Sequence, residues 1–300
     1  MKNFKKVVLT FISVALLLVP STLFAATVEV KNEEELFKAI SSDNTIILQS
    51  DVTLTKALEI KGSNVTIDLN GNTLTVENGY IDLFEGKLEF TGKGIVKDIR
   101  VREKVTSTIW VEGSNDVNAK DFSTLVIGKD VTIDTTQWGI TISNLDSNNK
   151  AYGVTVNFDG TLISSAVKGG GITVFGNVKN DGKIENAPVI NLGKTASVKV
   201  VGDTALYGAG MGVWNINGGI YEGKSAVGIK SGKLVINDGT FTATGEYKTG
   251  ELYGNGIIST GSSIQIENNK GYASNMEIVI NGGTFNSKKG LSIYHYPPTD

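Results

Sequence analysis

The sequence predicts an all-β fold, a right-handed parallel β-helix with a short capping helix at its N-terminal end. Three observations carry that expectation. The composition, with 36 glycines against 4 prolines and short Val/Ile runs among Asn, Asp, Ser and Thr, is that of many short strands joined by tight turns. A segment repeats without gaps, and the same residue types return to equivalent places in it.

The repeat is Trp214-Asn215-Ile216-Asn217-Gly218-Gly219-Ile220-Tyr221, then Leu234-Val235-Ile236-Asn237-Asp238-Gly239-Thr240-Phe241, then Ile278-Val279-Ile280-Asn281-Gly282-Gly283-Thr284-Phe285. Period-two alternation turns Trp214, Leu234 and Ile278 inward with Ile216, Ile236 and Ile280. The Asn-Gly step then bends the backbone, because Asn tolerates the left-handed region and Gly has no Cβ to clash. Asn-Gly is also a hairpin signal, so antiparallel pairing in a sandwich is the competing fold. Only a coil superposes like on like, which predicts an amide ladder of Asn217, Asn237 and Asn281 and an aromatic stack of Tyr221, Phe241 and Phe285.

The remaining elements follow in chain order. Residues 1–26 read as a signal peptide: three lysines, an apolar run from Val7 to Val19, a break at Pro20-Ser21, and cleavage after Ala25 or Ala26. Residues 27–55 form the cap and first strands. Asn32 is the N-cap of a helix over about 33–41, Glu35 holds the capping-box position, and Leu36, Phe37, Ala39 and Ile40 make its apolar stripe. Residues 56–300 are the coils, traced through Val65-Thr66-Ile67-Asp68, Leu88-Glu89-Phe90, Leu125-Val126-Ile127 and Ile190-Asn191-Leu192. A second recurring element begins with Gly at positions 139, 153, 171, 228, 256 and 290, giving two or three strands per coil. The C-terminal end carries no matching cap.

On these residues, the opening helix, the Thr45-Ile46-Ile47-Leu48 and Ile67-Asp68-Leu69-Asn70-Gly71 strands and the Ile-Asn-Gly-Gly-Thr-Phe corner, residues 27–300 resemble the pectate-lyase-like superfamily of right-handed β-helices. They are most similar to its non-catalytic secreted and surface members from Gram-positive bacteria. The resemblance implies architecture more than activity, since lyases, hydrolases, adhesins and phage fibres share the fold.

Removing the three leader lysines from 28 basic residues leaves 25 against 31 acids, a formal charge of −6, which disfavours nucleic acid. With no Cys there is neither a disulfide framework nor a thiolate site. The motifs of the enzymatic relatives are missing. Arg100 and Arg102, the only arginines, lie in an alternating charged stretch that reads as a solvated face, and no polygalacturonase-type Gly-His-Gly occurs. Asp130 with Asp134, or Asp181 with Glu185, are the acids that could converge, although acids are common at turns. The lone His295 reads as an exposed terminal residue. No cofactor is expected, and Ca²⁺ stays open only through Asp and Asn oxygens at 113–116 or 144–149.

No catalytic residue is assigned. Trp110, Tyr152, Tyr247 and Tyr253 fall in the longer or more polar insertions and are the candidate ligand surface, since loops on a rigid scaffold carry binding. The expectation is a secreted or cell-surface protein that binds an extracellular polysaccharide or host component, without a membrane span once the leader is removed. A divergent polysaccharide lyase or glycoside hydrolase and a structural stalk are the alternatives.

Overall fold

The computed structural model describes residues 26–41, 43–101, 106–144, 150–167, 169–247, 261–267, 276–288 and 290–296. Residues 1–25 of the leader, Arg102 and Tyr253 lie outside the described residues. The described residues are mostly β, and every pairing between the named strands is parallel within one 24-stranded sheet. Antiparallel geometry occurs among the described residues only as an isolated bridge, Ser114 to Tyr152, so the hairpin alternative does not hold.

The pairings sort into three ladders. The first runs from Ala26–Val30 and Asn44–Leu48 through Ser123–Ile127, Val154–Phe158 and Val189–Leu192 to Met276–Ile280. The second runs from Val52–Leu54 and Thr73–Val76 through Gly94–Asp98, Val131–Thr135, Thr161–Ser164 and Ser197–Val200 to Thr284–Ser287. The third includes Ser107–Glu112, Trp138–Ser143, Ile172–Val174, Thr204–Gly208, Ser225–Ile229, Ile264–Glu267 and Ile293–Tyr296. Four long strands pass from one ladder to the next. Leu58–Asp68 and Ile81–Thr91 go from the third to the first, and Val213–Gly223 and Gly232–Ala243 from the first to the second. From Asn44 onward the chain visits the ladders in strict cyclic order.

Alternation places one side chain in two toward a shared apolar core. In the second ladder Leu74, Val96, Ile133, Leu162, Val198, Tyr221 and Phe241 lie in one register row, all fully buried, and Phe285 ends it. The three rings stack at 5.1 and 5.2 Å between centroids. Trp214 pairs with Ile190 and Leu234 and is also core.

The expected sharp turn at Asn-Gly is instead an irregularity inside a continuous strand. The register shifts on both sides of Asn217, whose backbone partner is Asp238. Gly219 absorbs the bend at φ +94°, and a Cβ there would run into the carbonyl of Ala196. The side chains ignore the slip: Asn237 donates to Oδ1 of Asn217 at 2.8 Å, and Asn281 to Oδ1 of Asn237 at 2.8 Å. A second run, Asn215 to Asn191 to Asn157 at 2.9 Å each, stands on the first ladder. The Gly-led segments also divide. Gly153 precedes a first-ladder strand, whereas those at 139, 171, 228 and 290 serve the third, and Gly256 is outside the described residues.

The helix spans Glu33–Ala39, two residues shorter than expected at its end, because Ile40 already closes it as C-cap. Asn32 accepts from Glu35 N at 3.0 Å, and Glu35 reaches back to Lys31 N, one residue beyond the capping-box position. It packs on the first three strands through Leu36 and Ala39, and Glu33 accepts from Thr55 N.

Candidate functional site on the third ladder

The third ladder differs from the other two in what its outward residues do. Ile81 and Leu83 belong to the core, so the intervening Asp82 points away from it, and the same holds for Trp110 between Ile109 and Val111. Register places Glu59 beside Asp82, Asp82 beside Trp110, and Trp110 beside Thr141. The row continues through Thr173 and Tyr207 to Gln265 and Tyr294. Two residues along, Lys61, Phe84, Glu112 and Ser143 form a second outward row.

Several of these positions are outward yet enclosed, although Glu59 and Lys61 at the edge are exposed. Asp82 is 5% exposed, Glu112 7%, and Thr141 and Thr173 fully buried, while Trp110 between them keeps an intermediate exposure. Asp82 and Glu112 share a hydrogen bond, which requires a proton on one of the two carboxyls. Burial first, then the neighbouring Glu112 charge, pushes Asp82 from its ordinary 3.8 up to about 7. Its Oδ1 is a buried acceptor with no hydrogen-bond partner, and Oγ1 of Thr173 further along the row is another. Glu59 is ion-paired with Lys61 at 2.8 Å beside the acids. Tyr80 feels the charges of Asp82, Glu59, Glu112 and Lys61, and its phenol is raised, by burial foremost. An aromatic surface flanked by hydroxyls and a carboxyl pair can stack on a sugar face and exchange hydrogen bonds with its hydroxyls.

The four expected binding aromatics do not converge. Trp110 lies on this row. Tyr247 is at the far end of the same ladder, edge-on to Tyr294 at 6.1 Å, with Tyr294 in turn 4.4 Å from Tyr296. Six strand spacings separate Trp110 from Tyr294, about 29 Å. Tyr152, expected as an exposed loop ring, is 3% exposed, because its backbone is pinned to Ser114 at 2.9 and 3.0 Å and the ring is folded under. The ladder residues Asn217, Asn237 and Asn281 lie on the corner between the first and second ladders, away from this face.

Arg100 corrects the reading of a solvated charged face. It is 3% exposed, paired with Asp98 at 2.5 Å, and bonded to the carbonyls of Ser107 and Gly79. Thr108 donates to the same Asp98 carboxylate at 2.8 Å. Every arm of the pair is satisfied, as a buried ion pair requires. The acid pairs suggested by sequence do not form the site. Asp181 is used within a turn, accepting from Lys183 N and from Asn186 at 2.9 Å. In the candidate Ca²⁺ loops Asn144 directs its amide at Gly113 and Asn115, and residues 145–149 lie outside the described set. Among the described residues no cluster of three or more His, Asp or Glu side chains is placed to hold a metal, and no helix is long and apolar enough to cross a membrane.

Asp82 and Glu112 were missed because 30 residues separate them and neither belongs to a motif. The available signal was the alignment of Ile81-Asp82-Leu83 with Ile109-Trp110-Val111, two apolar-x-apolar triplets that only the stacking brings side by side. No family profile matches the chain, and comparison with curated proteins and with solved structures finds no match.

Proposed function

We propose that the protein is an exported right-handed parallel β-helix of the pectate-lyase-like type that binds an extracellular polysaccharide on the outward face of its third ladder, without covalent chemistry. The cyclic visiting of three parallel ladders around one core favours a wound ribbon, and the lysine-plus-apolar leader favours export. The observation that carries the binding reading is Trp110. A partly exposed indole stands on this outward row between two buried positions, with the Asp82 carboxyl on one side and the Thr141 hydroxyl on the other. Rings held this rigidly give contact area with little entropy to lose, which suits a weakly polar sugar face.

Affinity electrophoresis against a panel of soluble polysaccharides tests it. At least one polysaccharide retards the protein, and Trp110→Ala weakens that retardation at least tenfold while the melting temperature stays put. Equal retardation of the variant removes Trp110 from the site and the proposal with it.

The Asp82–Glu112 pair favours a second reading, a glycoside hydrolase. A carboxyl that keeps its proton near neutrality beside a second carboxyl is the state a general acid needs. Release of reducing ends, abolished by Glu112→Gln, is its signature. A structural stalk would neither bind nor cleave any member of the panel.

A further inference from the structure

The groups that face the sugar on this surface also restrict which sugars it accepts. Around Trp110 stand Asp82 and Glu112, with Tyr80 and the mutually neutralised Glu59–Lys61 pair behind them. An ionised carboxylate offers acceptors only. The Oδ1 atom of Asp82 is buried and lacks a donor, and the buried Thr173 hydroxyl on the same row lacks a partner as well. This stretch of the face is therefore short of donors and not of acceptors. A uronate brings further acceptor oxygens and a second negative charge beside these acids, where like charges repel.

We propose that the third-ladder face selects uncharged polysaccharides and rejects uronate-bearing ones, with Asp82 and Glu112 as the discriminating pair. The proposal rests on the polysaccharide-binding reading above. It adds a substrate class to that reading, and the rejection of uronates follows from the acids this chain places beside Trp110.

The test compares mixed-linkage β-glucan and galactomannan with polygalacturonate and alginate, using the full chain at pH 7 and fixed ionic strength, by affinity electrophoresis and calorimetry. A neutral polymer binds at least tenfold more tightly than either polyuronate, and raising the pH from 5 to 8, which strips the shared proton, widens the gap. The Asp82→Asn/Glu112→Gln variant narrows the gap, read as the ratio of neutral to polyuronate affinity, at least threefold. If the double variant does not fold, as judged by circular dichroism, the isosteric Asp82→Asn alone is read in its place. A polyuronate bound as tightly as the neutral polymers, or a preference unchanged by the variant, overturns the proposal and leaves polysaccharide binding standing. Retention of none of the four polymers overturns polysaccharide binding and the selectivity together.

Discussion

A carboxyl group buried beside another carboxyl weakens the fold once both must ionise. The unfolded chain releases the Asp82 proton near the ordinary 3.8, whereas the folded chain holds it to about 7. Between those values the native state binds more protons than the unfolded one, so stability falls as pH rises from about 4 to about 7 and then levels off. Asp203, raised to about 6 chiefly by burial, acts in the same direction over a narrower window. Asp82→Asn is therefore expected to raise the melting temperature at pH 8 by at least about 3 °C and to leave it nearly unchanged at pH 4. A thermal scan at both values checks this, and a variant destabilised equally at both would mean that the carboxyl is held by partners and not strained by its neighbour. Asp98 and Arg100 illustrate the opposite case, two buried charges matched to each other and to backbone carbonyls. Neither situation was legible from sequence. Asp-x-Arg spacing is also what a solvated strand displays, and the enclosure of Arg100 comes from Ser107, Thr108 and Gln137, which approach only through the pairing of remote strands.

At the scale of elements, what the sequence made legible was whatever repeats in kind. Asn217, Asn237 and Asn281 share side-chain hydrogen bonds although 20 and 44 residues separate the successive members, because their amides need only equivalent corners. The stack of Tyr221, Phe241 and Phe285 continues an aliphatic row, Leu74 to Val198, whose Leu, Val and Ile alternate without a shared motif and so gave no sign of the row in the sequence. The face of the third ladder escaped for a similar reason: its outward row passes from Asp82 to Trp110 to Thr141 with no motif shared between neighbours. Phe241 is the ring with an aromatic neighbour on both sides and no exposure. Phe241→Ala is expected to cost about 3–5 kcal/mol, the usual penalty of an aromatic-sized cavity. Urea unfolding monitored by circular dichroism measures it, and a loss below about 1 kcal/mol would mean that the ring is not enclosed between its neighbours.

Across the whole molecule, parallel ladders explain how insertions of very different length coexist with constant register. The two steps of the asparagine ladder differ more than twofold in chain length, yet the core rows on either side keep their partners, because extra residues leave at the corners. The start of the described chain is covered by the helix Glu33–Ala39, whereas its last strands leave Ile280 and Ile293 partly exposed. Parallel pairing also brings together the candidate site, since Glu59, Asp82, Trp110 and Thr141 come from four separate strands. The outward row of the second ladder offers a direct ruler: Lys97, Asp134, Ile163, Lys199, Glu222, Thr242 and Asn286 are successive partners. The chain has no cysteine, so pairs of introduced ones can be spin-labelled without interference. Pulsed electron–electron distances from Lys97→Cys to Glu222→Cys, Thr242→Cys and Asn286→Cys should centre near about 19, 24 and 29 Å, one strand spacing per step. Distances that fail to lengthen in that order, such as Thr242 lying no farther from Lys97 than Glu222 does, would contradict the wound ribbon and the binding face built upon it.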